Sequence, residues 1–382
     1  MRFDPGGMMR SISTIEVALL ARELSALKGY HLEQFYQSGK GLFRFKLASK
    51  GVTVNLLAIL PLVLYESTYL PRQEEASNFA MAVRKRVDGM VVAGVEQYNE
   101  DRIILIHLSG RERGAKVIIE LFGKGNLLLL NDDMVIDLAY VEREFRSRSI
   151  RKGERYLPPQ NSAVRISNVA SAPEIIKGLL EGPEGEAKGG AAAFLAKNIN
   201  IGVAYVEDAM VGAGIVPKSP PSSIGEEALG ALSARAADFV SAIENPEVTL
   251  YMEGGRPLDY SIKKLAKYSA SECVHPGSLQ AALDSFYRLA LEPPQPAAGT
   301  AKVAELERSI ERQRALITED EREMGHEAEM GRKVFENMEA INSICLSLRE
   351  NRRMGLEELR AAFPWLKIVS LDLKDKSFTI DL

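Results

Sequence analysis

Arg102-Ile-Ile-Leu-Ile-His-Leu108, Lys116-Val-Ile-Ile-Glu-Leu121 and Asn126-Leu-Leu-Leu-Leu130 follow one another closely, parted by Gly-, Arg- and Lys-bearing breaks. Each run is short, bounded by turn residues and rich in the aliphatic side chains of a buried strand. Asn131-Asp132-Asp133 supplies turn chemistry before a further run, Met134 to Tyr140. Working outward, Met90 to Gln97 and Val52 to Ile59 also read as strands. Gly39-Lys40-Gly41 joins Tyr30–Tyr36 to Leu42–Leu47 as a hairpin connection should. Two helices interrupt the pattern. Residues 11–29 carry an apolar stripe of Ile15, Leu19, Leu20, Leu24 and Leu27, with Ser13 or Thr14 as cap and Gly29 as stop. Phe79 to Val87 is short and basic and ends at Gly89. Strands with few helices predict an α+β domain on an antiparallel sheet or sandwich.

The rest of the chain changes character. Arg143 to Gly153 is basic, and Tyr156 and Pro158-Pro159 suit a boundary. Residues 170–245 are rich in Ala, Gly and Glu and predict four or five short helices. Val248 to Met252 reads as a small β return, and 278–290 as a helix. After Pro293-Pro294-Gln295-Pro296, the residues Val303, Leu306, Ile310, Gln313, Ile317, Asp320 and Met324 recur in steps of three and four. Val334, Met338, Ile341, Cys345 and Leu348 do so again after a slip. This is a heptad seam with polar interruptions. A helix over 300–352 would reach roughly 80 Å. Leu356 to Ala362 then reads as a short helix, with strands at Lys367–Leu373 and Ser377–Leu382. The organisation expected is an α+β domain over 8–160 and a helical domain with a short β return over 161–292. A coiled-coil arm over 300–352 and the start of a small α/β tip domain over 353–382 follow. The seam has no returning helix, so it could pair with a second copy, or the returning arm is missing. The apolar strand at the end favours a truncated chain. The first seven residues read as a tag or a natural extension, with Met8 or Met9 as alternative starts.

Composition bounds the chemistry. The chain has 382 residues, 46% apolar and 26% charged, with a formal charge of -4. That excludes wholesale disorder and a membrane bundle, and no apolar run is long enough to span a bilayer. Two cysteines, Cys273 and Cys345, cannot make a disulfide framework or a four-cysteine zinc site, and point to a reducing, cytoplasmic setting. The four histidines lack metal-site spacing, and Gly123-Lys124-Gly125 lacks a P-loop continuation. No metal, cofactor or catalytic set is expected.

The candidate residues are few. Asp101-Arg102 precedes an apolar strand, and its plain reading is a solvent-exposed turn pair. Glu16 near a helix start is a favourable charge at the positive end of the dipole. Arg84 and Lys85, and Arg143, Arg146, Arg148 and Arg151, form two basic clusters able to meet phosphate or simply to face solvent. Gly202 to Pro217 reads as a Gly-led short helix with a hard stop. It resembles the helix–two-turn–helix of formamidopyrimidine-DNA glycosylases, with Val203 where that family usually has a phosphate-holding Asn.

Taken in order, the motifs resemble the NFACT family, which includes RqcH and NEMF and was once labelled fibronectin-binding-protein-A-like. Ser13-Thr-Ile-Glu16 to Glu23-Leu24 with Gly29-Tyr30 matches its opening helix, and Phe79 to Lys85 its basic helix. Asp101-Arg102-Ile103 matches its Asp-Arg pair, and Glu120-Leu-Phe-Gly123-Lys-Gly-Asn126-Leu127 its Gly-Asn strand entry. Arg151 to Pro159 matches the close of its first domain. The resemblance implies a first domain like the glycosylase N-domain, then a helix–two-turn–helix region. It also implies a ribosome-associated quality-control factor. Such a factor binds the large ribosomal subunit with its stalled peptidyl-tRNA and recruits aminoacyl-tRNA, typically alanyl, for untemplated tailing. The ribosome performs the chemistry, so no enzyme activity is implied. Asp101 and Arg102 then become tRNA-handling residues. Glu16 joins them, standing where relatives often carry Asp. Three other classes compete. A base-excision glycosylase would need an amino-terminal Pro that Met8-Met9-Arg10 does not supply. An adhesion protein would need a signal or an anchor. A coiled-coil scaffold would bind protein and no RNA.

Overall fold

The computed structural model describes residues 9–71, 77–181, 190–268, 270–291 and 300–381. The chain divides into two compact units, met at Pro294/Gln295. The first opens with α1 (Thr14–Leu24), closed by a capping box. Ser13 Oγ accepts from Glu16 N, and Glu16 Oε2 accepts from Ser13 N at 2.7 Å. The helix is shorter than the predicted 11–29, because its last turn tightens to a 3-10 turn over Ser25–Leu27 before Gly29.

Nine strands then form one antiparallel sheet: β1 (His31–Gly39), β2 (Leu42–Ser49), β3 (Val52–Ile59), β4 (Val63–Glu66), β5 (Val91–Gln97), β6 (Ile103–Ser109), β7 (Gly114–Glu120), β8 (Asn126–Leu130) and β9 (Ile136–Ala139). Their order is β4-β3-β2-β1-β5-β6-β7-β8-β9. The sheet is two halves joined at one point, since β1 meets β5 only at His31–Val91. The halves fold over each other. Phe45, Leu47 and Leu56 from one and Val92, Ile106, Leu108 and Val117 from the other line the same small internal void. The expected antiparallel sandwich is therefore the architecture found. Helix α2 (Asn78–Val87) packs on β1 and β9. Its buried Ala80, Val83 and Val87 face inward, and Ser77 caps it through Ala80 N.

The outer face of the five-stranded half is apolar too. Ile103, Leu105, Ile118, Leu128, Leu130 and Ile136 need a cover. The basic stretch supplies it as a two-stranded hairpin, β10 (Arg143–Glu144) and β11 (Ser149–Ile150), with Ile150 and Tyr156 buried in that layer.

Four helices follow, α3 (Ala172–Leu180), α4 (Gly190–Asn198), α5 (Val203–Gly212) and α6 (Glu226–Ser241). A three-stranded sheet comes next, β12 (Thr249–Glu253), β13 (Arg256–Ser261) and β14 (Glu272–Val274), and then α7 (Leu279–Leu291). Their buried residues, among them Ile176, Phe194, Tyr205, Leu229, Tyr251 and Tyr287, belong to the same continuous core as the sandwich interior.

The second unit holds α8 (Thr300–Glu336), α9 (Met338–Glu350), α10 (Leu356–Ala362) and the hairpin β15 (Lys367–Asp372)–β16 (Ser377–Asp381). The seam helix is not continuous: it breaks at Asn337, which leaves helical geometry. Ile310, Ile317 and Met324 of the seam are exposed, whereas Ile344 is buried with Leu359, Phe363 and Ile368 in a small core.

Candidate functional site

The β5–β6 connection is tight. Tyr98 N donates to Ile103 O, and Asn99 and Glu100 both take left-handed backbone conformations. The turn thus delivers Asp101 and Arg102 at the mouth of β6. Asp101 is buried, and its Oδ1 accepts from the backbone N of Arg102 at 2.7 Å. Arg102 is half-buried. Its carbonyl accepts from Leu121 N at 2.8 Å, which fixes the backbone. Burial pushes its guanidinium below the ordinary value, and the charge of Asp101 acts the other way. Among the described residues, that guanidinium makes no hydrogen bond and no ion pair. A held backbone with an uncommitted planar cation is an arrangement suited to an external anion or a base face.

Residues far away in sequence clamp the turn. Gln97 Nε2 donates to Thr14 O at 2.9 Å and to Asp101 O at 3.0 Å. Thr14 Oγ1 donates to Asn200 Oδ1 at 2.8 Å, and Asn200 Nδ2 donates to Glu100 O at 3.0 Å. The Glu100 carboxylate accepts from both Ser167 N and Ser167 Oγ at 2.9 Å. Gln97, Asn200, Glu100 and Ser167 are not singled out by any local pattern in the sequence, and Thr14 stands out there only as a candidate helix cap. Only the fold brings positions 14, 100, 167 and 200 together.

Glu16 has no surface at all. Arg10 donates to its two oxygens at 2.9 and 2.6 Å, and Tyr205 OH donates to Oε1 at 2.8 Å. Arg10 also meets Asp259 Oδ1 at 2.5 Å and lies 3.9 Å over the Tyr260 ring. Burial opposes the charge on Arg10, but Glu16, Tyr260 and Asp259 outweigh it and hold its pKa well above the ordinary value. Burial, and then the charge of Glu16, drive the Tyr205 hydroxyl well up. Glu16 therefore braces the start of α1, two residues from Thr14 of the clamp. The brace is tight. At Gly202, the N-cap of α5, with φ +109, an added Cβ would lie 2.4 Å from Ser13 Cβ. Val203, next in line, is exposed.

The basic residues separate into three kinds. Arg148 is a buried anchor: Nη1 donates to Glu120 Oε1 at 2.6 Å and to Leu157 O at 3.0 Å, and Tyr156 OH donates to the same carboxylate oxygen at 3.0 Å. Burial, then Glu120, raise the Tyr156 hydroxyl. Arg148 is thus buried and engaged by Glu120 and Leu157, and is not placed to meet phosphate. Arg143, Arg146 and Arg151 stay on the covering hairpin; Arg146 is exposed, Arg143 half-buried, and Arg151 pairs with exposed Glu144 at 2.8 Å. The covering segment lies beside the turn, for the rings of Tyr98 and Tyr156 are 6.0 Å apart. Arg84 and Lys85 lie elsewhere, on α2 beside β1. From the His31–Val91 pair, the two antiparallel strands carry Tyr36 and Gln97 in opposite directions. Among the described residues, no group of His, Cys, Asp and Glu could hold a metal ion, and no helix is long and apolar enough to cross a membrane.

A sandwich that clamps an Asp-Arg turn against a helical region, followed by a long seam helix, defines a class of protein by its architecture. The family model of the NFACT N-terminal and middle domains matches residues 13–355, and the chain belongs to that family. The archaeal Rqc2 homolog aRqcH of Methanocaldococcus jannaschii is 24% identical over 286 residues, 72% of this chain and 41% of that protein. The ribosome quality control complex subunit NEMF of Homo sapiens is 26% identical over 131 residues, 34% of this chain and 12% of that protein. The aligned part is thus less than half of either relative. In fold, the chain is similar to the fibrinogen binding protein from Staphylococcus aureus. The TM-score is 0.55 at 19% identity, covering 72% of this chain and 98% of that one.

Proposed function

We propose that this chain acts in ribosome quality control, and that its first unit handles tRNA through the Asp101–Arg102 turn. The observation that carries the reading is the uncommitted Arg102 guanidinium on a backbone fixed from α1, Ser167 and Asn200. Membership of the family and relatives named as quality-control subunits support the setting. In that setting the protein works in the cytoplasm on the large ribosomal subunit that holds a stalled peptidyl-tRNA. It recruits aminoacyl-tRNA, alanyl in the simplest case, for untemplated extension. Arg102 holds a phosphate or stacks on a base, and Asp101 fixes the backbone that presents it. Glu16 contributes by bracing α1, not by touching RNA. Arg143, Arg146 and Arg151 add backbone contacts beside the turn. Peptidyl transfer belongs to the ribosome, so no group here attacks or leaves.

The test is tRNA binding at two salt concentrations, with duplex DNA of equal charge as competitor. Arg102→Ala is expected to weaken selective tRNA binding about tenfold or more, and folded Asp101→Asn to weaken it less. Binding to both polymers alike, unchanged in the two variants, would remove the reading and leave generic electrostatics.

A further inference from the structure

Arg44 lies mid-strand in β2, with Tyr36 of β1 and Leu57 of β3 as its cross-strand neighbours. It is 5% exposed. A guanidinium that deep is ordinarily paired with a carboxylate. Arg44 meets none. Its Nη1 makes only a 3.5 Å contact with Asn55 Oδ1, and its Nε is buried with no partner. The guanidinium lies 4.0 Å from the centre of the Tyr36 ring. A second cation attends the same ring: the guanidinium of Arg84 is 5.1 Å from it, oriented by Nε donating to Phe35 O at 2.6 Å. Lys46 also feels the charge of Arg44, and its own charge is answered by Glu33 at 2.7 Å, so that carboxylate is engaged elsewhere. Ser38 Oγ in the same hairpin is also buried without a partner. Burial pulls Arg44 below the ordinary guanidinium value, with only Tyr36 opposing, yet arginine stays charged near neutrality.

Two arginines share one aromatic ring here, and among the described residues neither has a counter-ion. An aromatic face answers such charge only weakly and does not replace an anion. Planar guanidinium groups match the oxygens of a phosphoryl group, which can accept two parallel hydrogen bonds. We propose that Arg44 and Tyr36 of the β1–β2 hairpin and Arg84 of α2 form a phosphoryl-binding site, separate from the Asp101–Arg102 turn. The phosphoryl group comes from an RNA backbone or from a free nucleotide; the first source rests on the RNA reading above, the second does not.

Phenylglyoxal labelling of the full chain, read residue by residue by mass spectrometry, tests the site without any substitution. Oligouridine, AMP, inorganic phosphate and phosphate-free adenosine are the added probes. A several-fold slowing at Arg44 and Arg84 is expected with a phosphoryl-bearing probe and not with adenosine, while Arg151 is unaffected. Protection by oligouridine alone assigns the RNA backbone; protection by AMP alone assigns a free nucleotide. No protection by oligouridine, AMP or phosphate overturns the site. Arg84→Gln, on the less buried arginine, is expected to weaken the protecting probe about tenfold. Where that probe is oligouridine, it also lowers the salt slope by about one. An unchanged affinity would overturn the proposal as well. Failure of the tRNA reading is seen separately, as tRNA affinity unmoved by Arg102→Ala, whatever happens at Arg44.

Discussion

At the scale of the residue, the brace behind the site is electrostatic, and its members predict different behaviour. Glu16 is fully buried against Arg10 and Tyr205, so Glu16→Gln takes one of two carboxylates, the other being Asp259, from Arg10 and removes the charged half of the capping box. Breaking a buried pair from one side costs about 3–5 kcal/mol. Urea unfolding is expected to show a loss of about 3 kcal/mol, while the folded variant keeps more tRNA affinity than Arg102→Ala. Asp259 carries a pH signature. Burial would raise its pKa, but Arg10 and hydrogen bonds from Tyr268 and its own backbone neighbour outweigh burial and hold it below the ordinary carboxylate value. A depressed native pKa contributes stability in full above the unfolded value of about 3.9. That contribution is lost as pH falls through the lower native value. Unfolding midpoints measured from pH 6 down to pH 2 should therefore converge for wild type and Asp259→Asn at the acid end. A gap that is constant over the range would show that the carboxylate charge contributes nothing.

At the scale of the element, the hairpin β10–β11 covers the outer sheet face and is pinned by Arg148, Glu120 and Tyr156. Arg148→Met alone strands the Glu120 charge, and Glu120→Leu alone strands Arg148; each is expected to cost about 3–5 kcal/mol. The double variant Glu120→Leu with Arg148→Met should recover most of that, because an apolar pair suits the surrounding Ile and Leu residues. Thermal melts of the three proteins read this directly, and additive losses would show the two side chains to be independent. The same hairpin marks the limit of what sequence conveys. Its Arg-rich composition signals charge, yet Arg148 is spent inside, since its partner lies on β7 and nothing local announces that. Strands β2, β3, β5, β6 and β8 were legible because short apolar runs between turn residues leave few alternatives. Strand β4 starts inside the apolar run Leu56 to Leu64, which hides the turn where Leu62 N donates back to Ile59 O. The break at Asn337 falls inside the second heptad run, between Val334 and Met338, so the slip after Met324 did not mark it. Of the site, the Asp101–Arg102 pair could be found from the family resemblance, whereas its clamp is long-range and left no periodic trace.

At the scale of the whole first unit, the division expected near residue 160 is a change of composition rather than a gap in packing. Buried residues of the helical region, Phe194, Tyr205, Leu229 and Tyr287, share one continuous core with Phe45, Leu56 and Ile106 of the sandwich. Polar bonds tie the same parts together. Asn200 holds Glu100 and Thr14, Tyr205 holds Glu16, and Asp284 of α7 accepts from Ser67 Oγ at 2.9 Å and Thr68 Oγ1 at 2.7 Å. Elements that share core and buried hydrogen bonds lose them together, so opening either part exposes the apolar face of the other. The sandwich and the helical region are therefore expected to unfold in a single calorimetric transition. Two substitutions check this. Tyr205→Phe removes the hydroxyl that bridges Glu16 and Ile262 N in the helical region. Leu56→Ala opens a cavity in the sandwich, at a cost of about 2–5 kcal/mol. Each should move the same transition down in temperature without splitting it. If Leu56→Ala lowers one transition while Tyr205→Phe lowers another, the two parts are separate folding units. The Asp101–Arg102 turn, which spans their junction, would then be free to open without unfolding either.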